Sequence, residues 1–302
     1  MIAVVQQVMG HASMQVTLGY LRNLEVPVLK MEDMPRLWYI WRMSLFQESV
    51  LRKYLASQDA EAIKAAYEKY KVHFHNPSMQ AEIRSMKEEE YQDGFLNDLF
   101  VKVLGYTLRP QEGHNLIREK KNETDGKKAD GAILNGEKTV VAVIELKGGN
   151  TKDLGKSKII NQAFGYKNNH SECVYVITSN FEKLRFFIHN AVEHEEFNLF
   201  TLSEDRFALL WLFLQKDNLL GGIPAKVKEE SLLQEEKITK ALYADYSTFK
   251  NDLWEDMVAQ NPQHDPLLLY KKSQKLLDRF LFILFSEDKG LLPPNLISSI
   301  VA

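Results

Sequence analysis

The run Val140-Val141-Ala142-Val143-Ile144, cut off by Glu145-Leu146-Lys147 and then Gly148-Gly149, constrains this chain more than any other segment. A short apolar stretch rich in β-branched residues reads as a strand buried on both faces. Just before it, Ala129-Asp130-Gly131-Ala132-Ile133-Leu134 leads through Asn135-Gly136 into that strand, which is a hairpin signal. Pairing across this turn brings the Asp130 end of the first strand near Glu145. Side chains alternate along a strand, so Glu145 and Lys147 point to one face.

Two carboxylates held close in a partly dry pocket repel each other, and a divalent cation between them removes that cost. Mg²⁺ takes oxygen ligands, usually one or two carboxylates completed by water and substrate phosphate. Lys147 can then orient or deprotonate an attacking water, or neutralise charge developing on phosphorus. The glycines that follow suit a close backbone approach to a substrate. Gln162 and Tyr166 are four residues apart and share one face of the next helix. An acid followed by acid-x-lysine is a weak signal alone, because a solvated Glu/Lys strand end gives the same letters. Its position at the end of a buried strand, with Gln-x-x-x-Tyr after it, makes metal-dependent phosphodiester hydrolysis the expected chemistry.

Residues from about Lys87 to Leu202 resemble the PD-(D/E)xK nuclease domain of type IIG restriction–modification enzymes, with the Q-x-x-x-Y variation also found in type I restriction subunits. The resemblance implies an α/β fold with a restriction-endonuclease-like core, a central mixed sheet flanked by helices, with helical segments before and after it. It implies a DNA endonuclease with Mg²⁺ held by Asp130 and Glu145, Lys147 beside the water, and Gln162 and Tyr166 at the double-stranded DNA. The segment Glu88–Tyr106 resembles the amphipathic helix that opens such domains and carries a glutamate facing the metal. Glu89, seven residues before Leu96, is the residue chosen for that role; Glu90 stays open, as does a solvated acidic first turn that complements the helix dipole. Ala129 stands where the family pattern has proline.

Further along, Cys173–Asn180 reads as another core strand, Lys183–Ile188 as its hairpin partner and Phe197–Phe200 as a short edge strand. Thr178 and Asn180 fall at a strand end, where a DNA backbone contact competes with a structural role. Lys127 and Lys128, with Arg118, Lys120 and Lys121, flank the proposed site, and Lys152, Lys156 and Lys158 follow it. They are candidate phosphate contacts or, equally, solvated lysines on loops. The formal net charge of −3 does not decide this, because affinity for phosphate follows local charge.

The expected organisation is a helical cap over 33–78, the nuclease domain over 79–215, a linker over 216–232 and a helical region over 233–302. The cap reads as two helices joined near Ser57-Gln58-Asp59, and the linker contains Gly221-Gly222-Ile223-Pro224 after a helix Glu204–Leu214. The apolar run Lys275–Leu292 ends at Gly290 and Pro293 and resembles the helical connector that begins the methyltransferase half of type IIG enzymes. Neither an Asn-Pro-Pro-Tyr box nor a glycine-rich S-adenosylmethionine loop is present, so methylation is expected to need a region outside this sequence. Residues 1–30 resemble the last part of a tyrosine recombinase catalytic domain, with His11 and Tyr20 at the family's spacing. The family's arginines, lysine and other histidine have no counterpart before His11. A nucleophile without cationic groups to hold the phosphate is expected to be inactive.

A single cysteine, Cys173, excludes an internal disulfide and a multi-cysteine zinc site, and fits a reducing cytoplasm. No apolar run approaches membrane-spanning length, so no membrane partner is expected. Two classes remain: an Mg²⁺-dependent restriction-type endonuclease, and a non-catalytic DNA-binding fragment that keeps its fold.

Overall fold

A computed structural model describes residues 46–121, 128–288 and 291–292. Residues Ser44–Gln234 form one compact unit, and the described residues from Glu235 onward belong to a second.

The first unit opens with helices whose starts are written in the sequence. Helix α1 is Glu48–Ala56. The Asp59 side chain accepts from the amides of Glu61 and Ala62 to cap α2, Ala60–Phe74, and Asn76 caps α3, Pro77–Ser85, whose proline occupies the first turn. The expected break at Ser57-Gln58-Asp59 is present, with one helix on each side of it among the described residues, and α3 follows as a further helix. Helix α4 is Glu88–Phe95, and it passes directly into a π-helical turn, Leu96–Val101. These helices do not form a separate cap. Tyr70, Phe74, Phe95 and Leu99 share one apolar cluster with the sheet residues Ile144, Ile177 and Phe186.

The sheet has six strands in sequence order: β1 Leu116–Lys121, β2 Lys128–Leu134, β3 Val140–Leu146, β4 Tyr175–Ser179, β5 Lys183–Ile188 and β6 Glu195–Asn198. All neighbours are antiparallel except β3 and β4, which are parallel and joined by the crossover helix α5, Ser157–Asn168. The fold is α/β, with a six-stranded mixed sheet flanked by helices. Strand β1 was not foreseen: Arg118 and Lys120 lie on this strand rather than on a loop. The Asn135 side chain closes the β2–β3 turn by accepting from the amides of Glu137 and Thr139. The left-handed position in that turn is Lys138, at φ 63°, not Gly136.

The two sheet faces are buried by different partners. One face joins the cluster containing the amino-terminal helices and α6, Glu204–Leu214. On the other face, Ala132, Val143, Val176 and Phe187 pack with Ala163 and Tyr166 of α5. Both faces of β3 are therefore dry, as its unbroken apolar run implies.

The expected linker over 216–232 is not a linker. Helix α7, Lys216–Leu220, turns at Gly222, whose φ of +73° favours glycine, into helix α8, Ile223–Gln260. Val227 is fully buried in the main cluster. The Gly-Gly-Ile-Pro sequence is thus a helix end followed by a helix start, with glycine after one and proline in the first turn of the next. In the second unit, Trp254 donates from its indole N–H to the Pro266 carbonyl, and Tyr246 donates to Asp278 on helix α9, Pro266–Asp288. Among the described residues no helix is long and apolar enough to cross a membrane.

Candidate active site

The β2–β3 register pairs Gly131 with Ile144, so the next step along the ladder sets Asp130 opposite Glu145. Residues directly opposite in an antiparallel pair project from the same face. Val143, Glu145 and Lys147 alternate onto the α5 face, so the strand turns from apolar to ionic without changing sides.

Glu145 is 1% exposed. Its Oε1 accepts from the Lys147 ammonium at 2.6 Å, while Oε2 is buried with no hydrogen-bond partner among the described residues. Burial, followed by the Asp130 charge, pushes the Glu145 carboxyl up to about 7, against the opposing pull of Lys147. Asp130 is also raised by burial, while the Leu146 amide, donating to its Oδ2 at 2.7 Å, works the other way. The Lys147 ammonium is opposed by burial, but its hydrogen bond to Glu145 and the surrounding carboxylates raise it overall. The same ammonium donates to the Leu146 carbonyl at 2.7 Å and lies 3.5 Å from Oε1 of Glu88.

Of the first-turn glutamates it is Glu88, not the expected Glu89, that lies beside Lys147. Glu89 is exposed, and Glu90 is committed to the helix start, accepting from the Lys87 amide at 2.6 Å. Glu88, on the face continued by Tyr91 and Phe95, is the one whose charge acts on Asp130, Glu145 and Lys147. Counting back seven residues from Leu96 chose the wrong anchor: Glu88 lies seven before Phe95, and Gln92 between them reaches Asp130. One helical turn after Glu88, Gln92 donates to the Asp130 carbonyl at 3.4 Å, a contact the sequence reading missed.

The two glycines explain how α4 comes so near. A Cβ on Gly148 would lie 3.0 Å from the Glu88 amide nitrogen, and one on Gly149 would lie 3.0 Å from the carbonyls of Ile83 and Arg84. Their close approach is to the α3–α4 backbone rather than to open space for a substrate. A side chain at either position would force the glycine turn or the α3–α4 backbone to give by a few tenths of an ångström.

On α5, Gln162 donates to the Tyr166 hydroxyl at 3.2 Å. Tyr166 is buried, and that burial together with the Glu145 and Asp130 charges raises its hydroxyl. Gln162 is exposed. The motif thus has one residue in the field of the carboxylates and one facing outward. Of the candidate cations, Lys128 is paired with Glu119 at 2.8 Å and Arg118 with Asp93 at 3.0 Å, both as exposed surface pairs. Lys152, Lys156 and Lys158 are exposed. Lys127, His11 and Tyr20 lie outside the described residues. Asn180 serves the fold, donating to the Thr151 carbonyl and accepting from the Lys183 amide. The buried Thr178 hydroxyl, in register with Glu145, has no hydrogen-bond partner among the described residues.

Three carboxylates, Glu88, Asp130 and Glu145, face one ammonium, so two negative charges are left over when all are ionised. That balance, with an unpartnered buried oxygen at its centre, suits one divalent cation with oxygen preference. Among the described residues, however, no three His, Cys, Asp or Glu side chains converge closely enough to form a ready-made metal cage. No protein-family model matches the chain, and comparison with curated proteins and with solved structures gives no match.

Proposed function

We propose that this chain is a metal-dependent DNA endonuclease of the PD-(D/E)xK kind, hydrolysing phosphodiester bonds at the site built by Asp130, Glu145 and Lys147. The observation that carries the reading is Glu145 Oε2, a buried carboxylate oxygen without a partner, set opposite a second acid and beside a lysine. A carboxyl kept so dry is costly to ionise, and a structural role alone does not call for it.

Asp130 and Glu145 would hold Mg²⁺, with Glu88 in reach of the same charge. When bound, the ion polarises the phosphate and lowers the pKa of a water. The raised Lys147 ammonium keeps its proton at neutral pH, so of its possible roles the donor role is the supported one. It orients a water oxygen or balances charge building on phosphate oxygens rather than taking a proton. Tyr166 stays protonated and can donate to a DNA phosphate oxygen, with Gln162 fixing its hydroxyl. Exposed Lys152, Lys156 and Lys158, around the start of α5, are available to the DNA backbone. The resemblance to type IIG enzymes extends the proposal to a partner methyltransferase and specificity region, which would select the DNA sequence.

The test is cleavage of supercoiled and linear duplex DNA by the purified chain with Mg²⁺ or Mn²⁺, and with EDTA. Nicking or cutting that needs metal is expected, with a loss of about a hundredfold or more in Asp130→Asn and Lys147→Met. Cleavage unchanged in Asp130→Asn would sink this assignment. DNA binding without cleavage, indifferent to both substitutions, would instead identify a non-catalytic DNA-binding module.

A further inference from the structure

Lys147 is more than a neighbour of the carboxylates. Its ammonium is 2.6 Å from Glu145 Oε1, 2.7 Å from the Leu146 carbonyl oxygen and 3.5 Å from Glu88 Oε1. A backbone carbonyl and two carboxylates are the oxygen donors a hard divalent cation uses, and here an ammonium gathers them. Lys147 is half-buried, and its own amide is pinned to the Ser179 carbonyl at 2.8 Å, so the side chain is directed into the site from a fixed strand end. On β3 it can reach Glu145 because both project from one face two residues apart.

We propose that Lys147 is the resident cation of this site: its ammonium occupies the oxygens that would otherwise ligate a divalent ion, and it must leave them when that ion binds. This rests on the nuclease reading and adds a regulatory property to it. An ammonium and a divalent cation sharing Glu145 and Leu146 would repel strongly in so dry a place. The lysine therefore holds two carboxylates and a backbone carbonyl together in the metal-free protein and is released for the donor role only when metal arrives. It also makes metal binding weaker than the acids alone would allow, because each binding event breaks a charge-assisted hydrogen bond. An ion resting on Asp130 and Glu145 Oε2 alone would leave the ammonium where it is, and that is the arrangement the proposal excludes.

The experiment is calorimetric titration of Ca²⁺ and Mg²⁺ into the full chain without DNA, using wild type, Lys147→Met and Lys64→Met. Lys147→Met is expected to bind metal about ten- to a hundredfold tighter, the worth of the hydrogen bond no longer broken. Lys64→Met removes an equal charge from an exposed position and is expected to stay within about threefold of wild type. A crystal structure of the wild type with Ca²⁺ should show the Lys147 ammonium beyond hydrogen-bonding distance of both Glu145 and Leu146. Equal metal affinity in wild type and Lys147→Met, or an ammonium unmoved beside a bound Ca²⁺, overturns the proposal and leaves the nuclease reading standing. Absence of metal binding in all three proteins overturns both.

Discussion

Replacing Glu145 with glutamine should make the metal-free protein more stable, and the gain should depend on pH in a defined way. The substitution keeps side-chain volume, and the amide oxygen can still accept from Lys147. What it removes is the cost of ionising a carboxyl that is 1% exposed and opposite Asp130. Near pH 4 the Glu145 carboxyl is protonated in both folded and unfolded chains, so wild type and variant should differ little. From its ordinary 4.5 up to about 7, the unfolded chain gives up the proton while the folded one keeps it, and wild-type stability falls. Above 7 the whole penalty is present. At 1.36 kcal/mol per pH unit that range amounts to about 3 kcal/mol, which for a unit of this size is a rise of about 6–12 °C in Tm. The assay is urea unfolding of both proteins in EDTA at several pH values between 4 and 8.5, with the variant-minus-wild-type difference plotted against pH. Saturating Mg²⁺ should shrink the gap, since ligand at a hundred times its Kd stabilises the binding form by about 2.7 kcal/mol. A difference that is flat with pH, or a variant less stable at pH 8 in EDTA, would refute the account of Glu145 as a dry, repelled carboxylate.

Glu88→Gln should weaken metal binding measured by calorimetry by about three- to thirtyfold, as expected for removing a charge at the edge of a shared field, whereas Glu89→Gln should not change it. Equal effects of the two would undo the choice of Glu88. Val227→Ala should destabilise the first unit by about 1–2 kcal/mol in urea unfolding, because a fully buried side chain leaves a void. A true linker residue would show no change. Gly148→Ala should lower metal affinity and cleavage together while leaving most of the fold intact, because the added methyl meets the Glu88 amide nitrogen at 3.0 Å; activity at wild-type level would show that the α4 approach is not needed.

Much of the sheet was legible because its strands carry their own boundaries. Lys183–Ile188 and the helix Glu204–Leu214 fall at the expected residues, and β3 ends within one residue of Glu145. The edge strand β6 is shifted to Glu195–Asn198, where the alternating Glu195 and Phe197 point inward, a pattern too short to separate from its surroundings. Strand β1 was hidden by its charges: Arg118, Glu119 and Lys120 look like a loop until β2 supplies a partner. The Gly-Gly-Ile-Pro segment was misread because glycine and proline mark helix ends as readily as linkers, and only Val227 three residues later separates the two. At the site, Asp130 and Glu145 were readable from register, which is local. Glu88 and Gln92 were not, because their place depends on which face of α4 meets the sheet and on two glycines about sixty residues away in sequence.

The topology gives a reason why these groups meet here and nowhere else in the sheet. Only β3 and β4 run parallel, so only between them must the chain leave the sheet and cross back over one face. That departure is where Gly148 and Gly149 turn the chain away from the sheet at the carboxyl end of β3. Glu145 and Lys147 are the residues at that end. Because β2 runs antiparallel to β3, the same edge receives the beginning of β2, which is Asp130. The returning helix α5 then lays Tyr166 over the strands that carry them, and the Gly148-Gly149 turn lets α4 bring Glu88 from the opposite side. Three elements, β2, β3 and α4, therefore deliver charge to one point, and burial worsens the repulsion among their carboxylates. A fold under selection for stability alone would have placed an apolar residue at 145, as it does at Val143 on the same face. A buried acid at that position, hydrogen-bonded to Lys147 and opposite Asp130, is the reason to test this protein for a bound cation.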